Sequence, residues 1–249
     1  MKAIPSGSVD MILADLPYGS TRNPKDVQLN LVALWRQYER IIKDNGCIAL
    51  WAQAPYDKIL ACSNLKLFRY EWIVEKTKAT GHLNAKKMPM KAHENVLIFY
   101  KAAPTYNPQV TNGHKPVHQY TKHTTDGANY GKTKTGISGG GNTTRYPRDV
   151  LRFKWDTQRS NINPTQKPVA ACEYFIRTYT EPGDTVLDNV MGSGSAAIAA
   201  WKANRNFIGM ELDRDMFNSA LLRVSLETDI TVEDLTKNQN AEECGNEAS

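Results

Sequence analysis

At 249 residues the chain has room for one α/β domain with insertions, or a domain and a small accessory region. A formal charge of +5 permits a polyanionic partner without demanding one, and four dispersed cysteines (Cys47, Cys62, Cys172, Cys244) with no C-x-x-C pair speak against a zinc framework or disulfide scaffold. No apolar run approaches the roughly 18 residues of a membrane span and no signal peptide precedes the first apolar run, so a soluble, cytoplasmic protein with no membrane contact is expected.

Residues 9–14 read as a buried parallel strand, apolar apart from Asp10. Leu31, Leu34, Trp35, Tyr38, Ile41 and Ile42 recur at helical spacing, with Gly46 where a helix C-cap belongs. Cys47–Trp51 is a second apolar strand, Pro55 opens a helix running to Asn64, and Tyr70–Glu75 and Asn95–Tyr100 are further strands. Residues 102–160 break this alternation. They are polar, contain Gly139-Gly140-Gly141, and read as a functional insertion or mobile loop. Regular structure resumes after Pro168: a helix at Ala170–Thr178, a strand at Asp184–Asp188, a helix at Ser195–Ala203, a strand at Asn206–Glu211 and a helix at Met216–Leu226. The tail from Thr228 is acidic and reads as frayed or disordered. Alternating β and α elements predict a Rossmann-like α/β fold, a mostly parallel sheet with helices on both faces. Trp51 and Trp72 are read as core residues.

Charge is unevenly distributed. From Lys101 to Lys154 there are nine Lys/Arg against two acids, whereas from Leu226 onward there are seven acids against Lys237. His114, His118 and His123 fall in the basic stretch with no nearby Cys and read as solvated loop histidines; no metal site is expected.

Asp15-Leu16-Pro17-Tyr18 closes the first strand. A carboxylate, a backbone carbonyl and an aromatic ring delivered to one spot suit the exocyclic amine of a flat base: Asp15 and the Leu16 carbonyl can each accept one N–H, and Tyr18 can stack on the ring. The second constellation is Thr185-Val186-Leu187-Asp188 followed by Asn189-Val190-Met191-Gly192-Ser193-Gly194 and a helix. Gly192 and Gly194 allow close backbone approach to a ligand at the helix N-terminus. Glu211, 23 residues after Asp188, is where an acid grips ribose hydroxyls. Gly192-x-Gly194-x-x-Ala197 also satisfies the relaxed dinucleotide fingerprint, so an NAD-type site and an S-adenosylmethionine site both fit this unit. Asp188 before the loop would repel a pyrophosphate but hold a cationic amino-acid end, and nothing else suggests hydride chemistry; both points favour the methyl donor.

Taken in order, these motifs resemble those of amino-methylating DNA methyltransferases of the permuted (beta) class, N6-adenine type. Asp15–Tyr18 is similar to the family's D-P-P-Y motif, Asn163-Pro164-Thr165-Gln166-Lys167-Pro168 to H-P-T-Q-K-P, and Asp188–Gly194 to D-P-F-x-G-x-G, while His93–Phe99 resembles the later strand of the catalytic half. The resemblance implies a catalytic half at 1–101, a target-recognition insert at 102–160, a cofactor-binding half at 161–226 and the tail at 227–249. It implies transfer of the methyl of S-adenosylmethionine to the N6 amine of an adenine flipped out of double-stranded DNA, with Asp15, Leu16, Pro17 and Tyr18 catalytic. Asp188, Asn189, Gly192, Ser193, Gly194 and Glu211 would hold the cofactor, with Thr165 and Lys167 at its methionine end; Lys167 is equally readable as a solvated surface lysine. Lys115, Lys122, Lys132, Lys134, Arg145 and Arg148 would meet DNA phosphates. Leu16 stands where the family has its first Pro, Asn189 and Val190 replace Pro-Phe, and Asn163 replaces His. Relatives usually carry a further strand and a Gly-Asp pair ahead of the point where this sequence starts, from which lower cofactor affinity or a reading frame begun short is expected. N4-cytosine methylation needs the same amine geometry, and a DNA-binding relic of the fold is the alternative without catalysis; an NAD-dependent oxidoreductase stands behind both. Pairing with a second copy is a guess from the short recognition insert, and the sequence specifies no restriction partner.

Overall fold

A computed structural model describes residues 1–19, 26–122, 135–155 and 166–243. The strands are β1 (Val9–Asp15), β2 (Ile42–Ala52), β3 (Phe68–Thr80), β4 (Lys91–Phe99), β5 (Tyr120–Lys122), β6 (Ile137–Gly139), β7 (Val150–Phe153), β8 (Thr185–Asp188) and β9 (Asn206–Gly209). The helices are α1 (Leu31–Ile41), α2 (Tyr56–Ser63), α3 (Val169–Tyr179), α4 (Ser195–Lys202), α5 (Arg214–Glu227) and α6 (Val232–Glu243). Seven strands form one sheet in the order β7-β3-β4-β2-β1-β8-β9. All its pairings are parallel except those of β4, which runs antiparallel to β2 and β3.

The alternation of strand side chains creates two cores. Met11 and Leu13, Cys47, Ala49 and Trp51, and Val96 and Ile98 face α3 and α4. Ile12 and Ala14, Ile48, Leu50 and Ala52, and Leu97 and Phe99 face α1 and α2. The sheet is thus covered on both sides, as the β/α alternation predicts. Trp51 and Trp72 are both buried. Local signals fix the helix starts: the Asn30 side chain accepts from Ala33 N–H at α1, and the Asp213 side chain accepts from Met216 N–H at α5.

Four sequence expectations are corrected. Gly46 caps no helix: α1 ends at Ile41 and the chain enters β2 at once, where a Cβ on Gly46 would lie 2.8 Å from the Asp10 carbonyl oxygen. The glycine lets β2 press against β1 across an irregular register, in which Val9 opposes Ile42 and Met11 opposes Cys47. Val150–Phe153, inside the stretch read as irregular, is a strand pairing with β3 at the sheet edge. β9 stops at Gly209, so Glu211 lies beyond the strand. The tail is not frayed throughout: α6 follows Thr231, whose hydroxyl accepts from Asp234 N–H and donates to the Asp234 carboxylate, and Leu235 packs on the core.

Contacts divide the chain into a main unit, residues 1–107 and 149–249, and a smaller one, Pro108–Arg148. Within the smaller unit β5 and β6 pair antiparallel, and Thr111 bridges Arg145. No helix among the described residues is long and apolar enough to cross a membrane.

Candidate active site

β1 and β8 are adjacent and parallel, so Asp15 and Asp188, which close them, both lie at the C-terminal edge of the sheet, Asp15 two residues further along. In open α/β sheets this edge is where ligands bind. A cavity of about 1650 Å³ opens there, lined by Asp15, Leu16, Pro17 and Tyr18 and also by Asp188, Asn189, Gly192, Ser193 and Glu211. The two constellations read separately from the sequence therefore share one cavity.

At the catalytic end, Asp15 is held on both oxygens. Tyr18 donates its hydroxyl to Oδ1 at 2.8 Å, and Lys167 Nζ lies 2.6 Å from Oδ2. Each oxygen keeps a second lone pair free to accept from a substrate amine. The Leu16 side chain is buried in the α1/α2 core. The Tyr18 ring stacks on Tyr56 with centroids 5.0 Å apart. Burial, with Asp15 and Glu94 close by, raises the Tyr18 phenol well above its ordinary range, so it remains a neutral donor.

Lys167 is not the solvated surface lysine it could have been: its Nζ bridges Asp15 Oδ2 and, at 2.9 Å, Glu94 Oε2, and it lines the same cavity as Asp188 and Ser193. Glu94 pairs through Oε1 with Lys76 Nζ at 2.6 Å, so four charges alternate in sign through a chain that is largely buried up to the half-buried Asp15. Burial alone would raise the Glu94 carboxyl, but Lys167 and Lys76 outweigh it and hold the group below its ordinary value. Burial pulls Lys167 down, and the Asp15 and Glu94 carboxylates more than reverse this, so the ammonium stays charged. Burial raises Asp15 and Lys167 opposes it. Sequence reasoning missed Glu94 and Lys76, which no local motif ties to Asp15.

At the other end, Asp188 is buried and its Oδ1 accepts the Val190 N–H. Burial pushes its carboxyl up to about 8, with Asp15 and Glu211 adding to the effect. Among the described residues it has no ion-pair partner, so nothing offsets the burial that favours its protonated form. Glu211 accepts from Gly192 N–H and Asp213 N–H, both at 3.0 Å, which ties the acid to the glycine loop. Tyr38 donates to the Asn189 side-chain oxygen at 2.5 Å. Gly192 and Gly194 both have positive φ, but a Cβ on Gly194 would meet Val224 at 3.0 Å. The lack of a side chain at Gly194 therefore lets the loop pack on α5. Behind the loop, buried Arg223 donates to the Ser193 carbonyl (2.9 Å), Ser193 Oγ (3.2 Å) and Ser195 Oγ (3.0 Å), a support the sequence did not announce. Gln166 is buried on the cavity wall, and among the described residues neither amide atom has a hydrogen-bond partner.

Thr165, Lys132, Lys134 and His123 lie outside the described residues. In the smaller unit Lys115 and Arg148 are exposed and Lys122 ends β5. Arg145 is committed internally, its guanidinium donating to the carbonyls of Asn142, Thr144 and Lys115. His114 bonds through its ring to the Thr111 hydroxyl.

The profile of a DNA methylase family matches residues 9–221. The chain is 26% identical over 254 residues to the DNA adenine methyltransferase YhdJ of Escherichia coli (strain K12), spanning 95% of this chain and 83% of that protein. It is 27% identical over 250 residues to the type II methyltransferase M.BglII of Bacillus subtilis, spanning 91% of this chain and 66% of that one. Among solved structures, the M1.HpyAVI–SAM complex superimposes with a TM-score of 0.59 at 22% identity, over 87% of this chain and 89% of its own. PvuII DNA methyltransferase (cytosine-N4-specific) gives 0.64 at 15% identity, over 96% and 87%. These structural likenesses speak for a Rossmann-like methyltransferase fold, and with the family match spanning both Asp15–Tyr18 and the glycine loop, the chain belongs to the DNA methylase family.

Proposed function

We propose that this protein transfers the methyl group of S-adenosylmethionine to the N6 amine of an adenine extruded from double-stranded DNA, with the catalytic half preceding the cofactor half as in the permuted class. The observation that carries the reading is the single cavity that joins Asp15–Tyr18 to Asp188, Gly192 and Glu211. The similarity to the DNA adenine methyltransferase YhdJ and to the M1.HpyAVI–SAM complex agrees with it.

The chain's donor set fits that cofactor. Asp188 is a buried carboxylate lacking a cation, suited to the methionine ammonium. Glu211 keeps lone pairs for ribose hydroxyls, and the unpartnered Gln166 amide offers a donor and an acceptor. When bound, the cofactor supplies a methyl group on a sulfonium, an electrophile that needs no metal and no covalent enzyme intermediate.

Extruding the base costs roughly a few kcal/mol, to be recovered in the cavity. Tyr18, backed by Tyr56, offers its ring for stacking. Asp15 and the Leu16 carbonyl accept the two amine hydrogens, which localises the nitrogen lone pair toward the methyl group. Bound S-adenosylmethionine would supply the methyl to the amine nitrogen, with the S–C electron pair left on sulfur, and Asp15 takes the surplus amine proton. Lys167 keeps Asp15 ionised until that moment, and Glu94 and Lys76 keep Lys167 in place. Residues 102–160 are the proposed target-recognition insert, with exposed Lys115 and Arg148 meeting phosphates and Lys122, Lys132 and Lys134 assigned to the same role.

The test is incubation with S-adenosylmethionine and unmethylated genomic DNA, followed by mass spectrometry of the nucleosides. N6-methyladenine is the expected product. N4-methylcytosine would keep the amine geometry and change the base, and no methylated nucleoside would refute the reading.

A further inference from the structure

Between β3 and β4 the chain makes a hairpin that the insert-based reading of DNA contact does not use. Residues 77–93 are all exposed. From Lys76 to Lys91 there are five lysines and no acid. Lys76 is spent on Glu94 and Lys91 on Gln53 and the Ala54 carbonyl, but among the described residues Lys78, Lys86 and Lys87 have no ion-pair partner. The tip is apolar as well as basic: Leu83, on a single 3₁₀ turn at His82–Asn84, is 86% exposed, and Met88 and Met90 are 54% and 41% exposed. Thr77, Lys78, Thr80 and Lys91 line the same cavity as Asp15, so the hairpin forms part of the cavity rim.

Cations beside bare apolar side chains, at the rim of a cavity, fit one kind of partner: a polyanion whose interior is a stack of flat apolar rings. Lysines alone would serve any anionic surface. An acidic protein or a membrane would not explain why the apolar tip belongs to the strands that frame the cavity. We infer that the β3–β4 hairpin is a DNA-contacting element, in which Lys78, Lys86 and Lys87 neutralise phosphates near the target base, and Leu83 and Met88 enter the stack where that base has left it. The inference rests on the function proposed above, and adds a contact surface in the catalytic unit itself, apart from residues 108–148. Apolar side chains wedged between bases are a known way to hold a distorted duplex open.

The experiment uses the full chain and a duplex containing the methylation site mapped from the wild-type product. For Lys78→Gln/Lys86→Gln/Lys87→Gln, affinity is measured as a function of salt. Three lost phosphate contacts should lower the slope of log affinity against log salt by about 2.7 in magnitude. For Leu83→Ala/Met88→Ala, 2-aminopurine is placed at the target adenine; its fluorescence rise on binding should fall at least about threefold while the salt slope stays at the wild-type value. Calorimetric binding of S-adenosylmethionine at wild-type strength shows in both cases that the fold is kept. A wild-type salt slope in the lysine variant, or a wild-type fluorescence rise in the apolar variant, overturns the inference even if the enzyme methylates adenine. If the wild-type chain methylates no DNA, the proposed function fails instead; a lysine-dependent salt slope on a random duplex would then still support the contact surface, and an unchanged slope would overturn it.

Discussion

Replacing Lys167 with methionine separates the two positions this residue has been given. Its ammonium lies 2.6 Å from Asp15 and 2.9 Å from Glu94, so its loss leaves the half-buried Asp15 carboxylate and the buried Glu94 carboxylate facing each other with Lys76 nearby. An opposite charge at such range lowers a carboxyl pKa by about 1–3 units, and each unit is about 1.4 kcal/mol. Without it Asp15, already raised by burial and by Glu94, rises by that amount again. The sign follows directly: Asp15 must be ionised to accept the amine hydrogen, so the acidic limb of the kcat–pH profile moves to higher pH. At a pH below both limbs, kcat falls by about 10- to 1000-fold. Breaking a buried ion pair costs about 3–5 kcal/mol of stability, an upper bound here because Asp15 can relieve the strain by taking up a proton. The assay is single-turnover methyl transfer across pH, with S-adenosylmethionine affinity measured separately by calorimetry. A shifted kcat limb with cofactor affinity changed less than about threefold is the expected result. An unshifted limb with strongly weakened cofactor affinity would refute the reasoning and return Lys167 to the methionine end.

Three further outcomes follow from the same geometry. Asp188, with its carboxyl at about 8, should release a proton when S-adenosylmethionine binds, so affinity weakens about tenfold per pH unit below 8; calorimetry in buffers of different ionisation enthalpy checks this, and pH-independent binding between about 6 and 8 contradicts it. Tyr18→Phe keeps the ring and loses the 2.8 Å bond to Asp15, and should lower kcat by about tenfold, whereas Tyr18→Ala also forfeits stacking worth about 1–3 kcal/mol and should weaken base extrusion, read by 2-aminopurine fluorescence. Arg223→Leu removes three hydrogen bonds to the glycine loop and should cost about 3 kcal/mol in urea unfolding while weakening cofactor binding; wild-type stability would show the loop needs no such support.

What could be read from the sequence was what local physics determines. The run 9–14 and the Cys47–Trp51 run are strands because continuous apolar stretches bounded by breakers suit the middle of a sheet, and the two ends of β1 and β8 were legible as Asp15–Tyr18 and Asp188–Gly194. Gly46 was misread because a glycine after a helical pattern looks the same whether it caps the helix or lets a strand approach its neighbour; only the pairing with β1 decides. The tail was misread by composition, although Thr231-x-x-Asp234 carries a local helix-start signal, satisfied here by a hydroxyl–amide bond. The chain Asp15–Lys167–Glu94–Lys76 and the Arg223 support had no sequence signature, because each joins residues brought together only by the crossing of separate strands and helices.

The most direct test of the central claim, that Asp15 acts on the amine and is not merely part of the fold, is single-turnover methyl transfer by the wild type and by Asp15→Ala, with S-adenosylmethionine and DNA affinities measured alongside. The account requires N6-methyladenine from the wild type, and from Asp15→Ala a rate at least about 100-fold lower with both ligands still bound. A variant that binds both and still methylates adenine at the wild-type rate would contradict it.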